Sequence, residues 1–185
     1  MVCTQSRRES QVPKPIFKLR PELLLYPNTP KPLHGTVPRE IYGKTWWDQT
    51  RKAAYKSTNY HCAACGIPKE KAKYVQWLEG HELYDIDYRR GRMTYIETVP
   101  LCHFCHNYIH DGRMQWLLSE GRMTQNKYVS IIQHGDAILD LYGLPSEVLY
   151  QGPTPNWSEW RLILDGKEYE PKFRSYEAWA RNWGR

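Results

Sequence analysis

Four of the five cysteines form two C-x-x-C pairs. Cys62 and Cys65 make the first pair, Cys102 and Cys105 make the second, and 36 residues lie between them. Both thiolates of such a pair can reach one ion, and two pairs complete the tetrahedral four-sulfur shell that is typical of structural zinc. Gly66 after the first pair suits a tight turn. Because a four-sulfur shell has no open position, we expect this zinc to stabilise the fold and to take no part in a reaction.

The histidines predict a second metal site. His106 and His110 follow Cys105 at a spacing of four, which places both imidazoles on one face of a helix. His81 and Glu82 lie between two segments that have the composition of strands. Histidine is the usual general base near neutral pH. His106 and His110 are therefore candidate metal ligands, and His81 is a candidate general base.

Hydrophobic periodicity predicts the elements that position these residues. Strands are expected at 74–78, 83–88 and 93–99, and helices at 45–57, 105–110 and 124–142. The helix from Cys105 is expected to stop near Gly112. Near the C-terminus, Asp165-Gly166 between two short apolar runs predicts a hairpin, and a short helix is expected to follow Ser175.

The region from Trp46 to Met114 resembles the HNH endonucleases of the ββα-metal (His-Me finger) class. The strings WWDQTRKAAY…HCAACG, LEGHELYDID and VPLCHFCHNYIH carry the resemblance. It implies metal-dependent hydrolysis of DNA phosphodiester bonds. The family's last histidine, a ligand of the catalytic ion, corresponds to His106. Some members, such as the nuclease colicins, add a second histidine one turn later, here His110. The ion would be Mg²⁺, Mn²⁺, Ni²⁺ or Zn²⁺.

The family's first motif is usually His-His or Asp-His followed by an aliphatic residue, and its first member binds metal while its second activates water. Here the string is His81-Glu82-Leu83. Two registers stay open: His81 is the ligand and Glu82 the base, or His81 is the base and Gly80 occupies the ligand position. The family's middle asparagine corresponds to Glu97. These departures also leave open a catalytically inactive member.

The charge distribution fits either a nucleic-acid partner or a solvated surface that keeps the protein soluble. The net charge is +6, from 26 basic and 20 acidic residues, but residues 1–60 carry +7 (11 minus 4) and the remainder −1 (15 minus 16). A basic segment on a near-neutral body is typical of polyanion binding. The candidate phosphate contacts lie in the helix before the first cysteine pair and in the turn after the second strand, a turn expected beside the active site: Arg51, Lys52, Arg89, Arg90 and Arg92.

The predicted fold is α+β. Residues 1–40 hold seven of the thirteen prolines and form an extended basic arm, whose apolar run near Leu23 is expected to pack on the body. Residues 41–114 form the zinc-stapled ββα-metal core. Residues 115–185 add helices and the C-terminal hairpin with its short helix.

Location and partner follow from composition. No apolar run reaches the length of a membrane span or of a signal-peptide core, and paired thiolates on zinc fit a reducing compartment. We therefore expect the cytoplasm of a bacterial or phage-infected cell, DNA as the partner and no membrane. Two alternatives stay open: a non-catalytic zinc-containing nucleic-acid-binding protein, and a phage-encoded inhibitor module that binds a protein partner.

Overall fold

A computed structural model of the chain describes residues 17–145, 150 and 152–182. Within these residues the fold is α+β, with one four-stranded sheet and five helices. None of the described helices combines the length and the apolar character needed to cross a bilayer. Cys3, the first 16 residues of the predicted arm and Trp183 of the predicted last helix lie outside the described residues.

The sheet is built on one long hairpin. Strands β1 (Glu79–Asp87) and β2 (Arg92–Leu101) pair antiparallel, with His81 opposite Val99. Strand β3 (Arg161–Leu164) pairs parallel to β2, and β4 (Lys167–Tyr169) pairs antiparallel to β3. Asp165 and Gly166 both have positive φ, as a two-residue hairpin turn requires. The predicted C-terminal hairpin is thus confirmed.

Five helices accompany the sheet: α1 (Pro38–Ser57), α2 (His103–Ile109), α3 (Asp111–Ser119), α4 (Gln125–Tyr142) and α5 (Tyr176–Asn182). The Thr124 hydroxyl accepts the N–H of Lys127 at the start of α4, and left-handed Gly143 ends it, which confirms that predicted helix. Helix α1 begins earlier than predicted. Pro38 opens it, and Gly43, at φ 78°, interrupts it.

The strand predicted at 74–78 was wrong. Residues 74–78 form no strand, because Tyr74 has a positive φ of 67° that extended structure does not allow. Strand β1 begins at Glu79, so His81 and Glu82 lie within it and not between two strands. The helix predicted over 105–110 is confirmed as α2, which ends at Ile109, but Gly112 does not stop it, because Gly112 lies inside the next helix, α3.

The arm belongs to the core. Pro21–Leu25 and Lys31–Leu33 form short 3-10 helices. Leu23 and Leu24 are buried with residues of β1, β2, α2 and α4, which confirms the predicted packing of this run. The division at residues 40 and 114 stays a prediction, and buried side chains from all three segments meet in this core.

Candidate metal centres

The four paired cysteines come together in one cluster. Their sulfur atoms all lie within 4.8 Å of one another, and the Sγ atoms of Cys65 and Cys102 are 3.8 Å apart. Cys62, Cys102 and Cys105 are buried, and Cys65 is half-buried. The second pair spans the start of α2, with Cys102 just before the helix and Cys105 in its first turn. This donor set is compatible with zinc, as the spacing predicted.

Backbone hydrogen bonds build the first cysteine turn. The Gly66 N–H donates to the Cys62 carbonyl and the Cys62 N–H to that of Ile67, each at 2.9 Å. Gly66 has φ 74°, and the Leu19 side chain lies 3.0 Å from the place its Cβ would take. The Ala63 N–H donates to the Pro100 carbonyl at 2.8 Å, which joins this turn to the end of β2.

Hydrogen bonds within the sulfur cluster shift the pKa values of Cys102 and Cys105 in opposite directions. Hydrogen bonds from the other cluster thiols, that of Cys105 first, lower the pKa of Cys102. Hydrogen bonds to Cys102 and the other thiols, with burial, raise the pKa of Cys105. Zinc binds cysteine as the thiolate, so metal binding at this cluster would release the thiol protons. The Nε2 atom of His134 lies 3.4 Å from the Cys105 sulfur.

A second cluster joins His81 of β1 to His106 of α2 and His110 at the end of that helix. One ligand atom from each lies within 4.8 Å of the others, and the ring centroids are 4.8 to 5.3 Å apart. His81 is only 6% exposed. Among the described residues its Nε2 atom has no hydrogen-bond partner. Buried polar atoms are rarely left unpaired, and a metal ion bound by the three imidazoles would account for this one.

Oxygen acceptors fix the orientation of two of these rings. A Glu79 carboxylate oxygen bonds Nδ1 of His106, and the Asn28 side-chain oxygen lies 3.2 Å from Nδ1 of His110. The other Glu79 oxygen is 2.8 Å from Nδ1 of His103. Metal-binding histidines in general use one ring nitrogen for such a contact and the other for the ion. The Nε2 atoms of His106 and His110 are accordingly left for a metal.

The surroundings of His81 and His110 favour the neutral form of these two imidazoles. Burial, then the charges of His106 and His110, lower the pKa of His81. Burial, then the charges of His106 and Arg113, lower the pKa of His110 to about 3. Neutral imidazole is the form that binds metal ions. The environment therefore prepares these side chains for ligation near neutral pH.

Glu82 does not join the histidines. Adjacent strand residues point to opposite faces, and Gly80, which shares a face with Glu82, lies against Trp47 and Arg51 of α1. The Tyr84 hydroxyl donates to the Glu82 carboxylate at 3.1 Å, and burial raises the pKa of Glu82. Neither of the predicted partners of His81, the base at Glu82 or the ligand position at Gly80, faces the cluster.

The predicted basic turn lies far from the histidines. Arg89 and Arg90 stand in the β1–β2 turn, whereas His81 is near the opposite end of β1. Eight residues of strand span about 26 Å. The expectation that this turn lies beside the active site was wrong, because strand β1 runs without a break from His81 to Asp87 and separates the two.

Most of the predicted phosphate contacts already have carboxylate partners. Arg90 pairs with Asp87 at 3.2 Å, Arg92 with Glu168 at 2.5 Å, and Arg51 with Asp48 at 2.7 Å. Lys52 and Arg89 are exposed. Glu97, at the family's asparagine position, pairs with Arg20 at 2.6 Å and not with the histidines. The assignment of these basic residues to DNA stays a prediction.

Sequence reasoning missed three residues at the histidine cluster: Glu79, Asn28 and Arg39. The exposed Arg39 guanidinium lies over the Trp47 ring, 5.6 Å from its centroid, and its charge helps to lower the pKa values of His81 and His110. In the part of the chain that the structure describes, Arg39 forms no ion pair. Glu79 stands two residues before His81, so strand periodicity could have found it. No local signal marks Asn28 or Arg39.

No protein-family model, curated protein or solved structure matches this chain. The functional argument therefore rests on the two clusters and their surroundings.

Proposed function

We propose that this chain is a metal-dependent DNA endonuclease of the HNH type. The observation that carries the proposal is the convergence of His81, His106 and His110, with a buried Nε2 atom of His81 that has no partner among the described residues. Strands β1 and β2 and helix α2 follow one another directly along the chain. This order supports the ββα arrangement that the sequence resemblance implies.

Each part of the site has a task in this proposal. His81, His106 and His110 would hold a divalent ion, which would supply Lewis acidity and a nucleophilic water at neutral pH. Glu79 and Asn28 hold two of the rings in position. The sulfur cluster fixes the start of α2 against the end of β2, and thereby the position of His106. His81, whose lowered pKa keeps it neutral, either binds the ion or accepts a proton from water.

Arg39 is one basic residue near the histidines that is placed to contact the phosphate. Its guanidinium is exposed, and its charge acts on two of the three histidines. A guanidinium offers a planar pair of donors that matches a phosphate. Arg89 and Arg90, at the far end of the hairpin, would contact only DNA that extends well beyond the scissile bond.

The test is cleavage of supercoiled plasmid by the purified chain with Mg²⁺, Mn²⁺, Ni²⁺ or Zn²⁺. His81→Ala and His106→Ala should each lower the cleavage rate at least about 100-fold, because each removes a metal ligand or a base. Glu82→Gln decides between the two registers, and because Glu82 lies on the opposite face of β1 from the histidines, it should cut like the wild type. Collapse of activity in Glu82→Gln with unchanged metal affinity would instead make Glu82 the base.

The same assay separates the alternatives. If no ion supports cleavage but the chain shifts DNA in a gel, the protein is a non-catalytic zinc-containing nucleic-acid-binding protein. If it neither cuts nor binds DNA, the protein-interaction module becomes the better proposal. Cleavage by His81→Ala and His106→Ala at the wild-type rate would refute the assignment of chemistry to the histidine cluster.

A further inference from the structure

Residues 71–78 connect the first cysteine turn to β1 and present two aromatic rings to solvent. Tyr74 is 60% exposed and Trp77 is 58% exposed. Ala72 and Leu78, near the two ends of this segment, are buried in the core. The segment, which we call the aromatic loop, is therefore anchored on both sides of its exposed rings.

The surroundings hold Tyr74 in place. Its positive φ is unfavourable for a bulky residue, and such conformations persist where neighbouring groups impose them. The ring stacks on buried Phe104 of α2, with centroids 5.1 Å apart and planes inclined by 22°. The Lys127 ammonium of α4 lies over the ring, 4.9 Å from its centroid. Tyr74 is thus an exposed ring that packs on Phe104 and lies beside the Lys127 ammonium.

The aromatic loop and its neighbour on α4 carry positive charge. Lys71 and Lys73 are exposed in the aromatic loop, which contains no acidic residue, and Lys127 adds a third ammonium group. Exposed aromatic rings among lysines are typical of sites for single-stranded nucleic acid, where bases stack on the rings and the cations contact phosphates. The bases of a duplex are already stacked on one another and do not offer their faces.

The aromatic loop adjoins the histidine cluster. The Tyr74 ring centroid is 6.5 Å from that of His103. His103 in turn bonds Glu79, the residue that orients His106. A strand bound on the loop would therefore run close to the candidate metal site.

We propose that Tyr74 and Trp77, with Lys73 and Lys127, form a binding site for single-stranded DNA. Unpaired bases stack on the two rings, and a base on Tyr74 takes the place of the Lys127 ammonium, which moves to a phosphate. The binding of single-stranded DNA does not require catalysis. The identity of the substrate rests on the proposed nuclease function: together with that function, this site specifies single-stranded or locally unpaired DNA as the substrate.

The test measures the affinity of the full chain for a labelled oligodeoxythymidylate by fluorescence anisotropy, with a hairpin duplex of equal nucleotide number for comparison. Tyr74→Ala and Trp77→Ala should each weaken single-strand binding about tenfold, which corresponds to about 1.4 kcal/mol. Tyr74→Phe should bind like the wild type. The matched control is Tyr176→Ala in α5, another exposed tyrosine with a lysine, Lys31, near its ring, and it should change the affinity less than about twofold.

The salt dependence tests the lysines separately. Loss of one phosphate contact in Lys127→Gln should reduce the slope of log affinity against log salt by about 0.7. Thermal melts establish that each variant is folded, and Trp77→Ala keeps the test decisive if Tyr74→Ala does not fold. Unchanged affinity in the folded alanine variants, or equal affinity for duplex and single strand, would overturn the inference.

The outcomes distinguish this inference from the nuclease proposal. Tight oligonucleotide binding that depends on Tyr74 or Trp77, without cleavage under any ion, would refute the nuclease and leave the binding site. Plasmid cleavage that depends on His106, with oligonucleotide affinity unchanged in both alanine variants, would leave the nuclease and refute the binding site.

Discussion

Gly135→Ala should destabilise the protein by separating α4 from α2. Gly135 lies in α4, and a Cβ atom there would overlap the Tyr108 ring of α2 at Cγ, Cδ2 and Cε2. Rotation of the ring about the Cβ–Cγ bond of Tyr108 does not move Cγ, so this rotation cannot remove the overlap. Tyr108 lies between His106 and His110, so the helix that carries two of the three candidate ligands must shift.

The magnitude follows from three contributions. Overpacking at a close contact costs about 1–3 kcal/mol. Displacing the Tyr108 hydroxyl from Asp136, its acceptor at 2.9 Å, costs about 1 kcal/mol. Alanine gains about 1 kcal/mol over glycine in a helix. The free energy of unfolding should therefore fall by about 1–3 kcal/mol, and the Tm by about 2–12 °C for a chain of this length.

Gly112→Ala in α3 is the matched control. No atom lies within 4 Å of the place its Cβ would take, so the helix propensity of alanine should raise the Tm by up to about 4 °C. Melting followed by circular dichroism compares the two variants. The reasoning is refuted if Gly135→Ala melts at or above Gly112→Ala, because α4 would then not depend on the contact between Gly135 and Tyr108.

The remaining predictions concern the two clusters and the arm. Purified protein should contain one zinc per chain by metal analysis, and Cys62→Ser should lose it and unfold, since a structural zinc supplies about 10–16 kcal/mol; a normally melting, zinc-free wild type would contradict this. Glu79→Gln should weaken divalent-metal binding at the histidine cluster about 10- to 100-fold by calorimetric titration while the zinc content is retained; equal affinity would mean that Glu79 does not orient His106. Leu24→Ala should lower the free energy of unfolding by about 2–5 kcal/mol in denaturant titration, because Leu24 is buried in the core; a near-zero change would show that the arm packs only loosely.

The sequence predicted the features that depend on short spacings. Two C-x-x-C pairs determine which sulfur atoms can share an ion, and residues four apart on a helix share a face, as His106 and His110 do. Asp165 and Gly166 are residue types that accept positive φ, so these two residues were enough to predict the C-terminal hairpin. Helix α4 has a clear apolar period and a cap at each end, and its bounds agreed with the prediction to within a residue.

Only the tertiary structure decided which distant groups meet. The pattern Tyr74-Val75-Gln76-Trp77 reads as a strand, but Tyr74 stacks on Phe104 from α2 and takes a conformation that ends extended structure. The local preference of these residues for a strand contributes less free energy than such packing, so the segment does not form a strand.

The surroundings of the histidine cluster also could not be predicted from local sequence. His81 was found from its type, but the face of β1 on which it lies, and the separation of Glu82 from it, depend on where α1 and α2 pack against the hairpin. Asn28 and Arg39 reach the cluster from a segment with no periodic pattern. The sequence by itself determined the donors that could bind metal, whereas the packing of the arm and helices on the hairpin determined which polar groups orient those donors, because contacts between residues far apart in the chain leave no mark in local spacing.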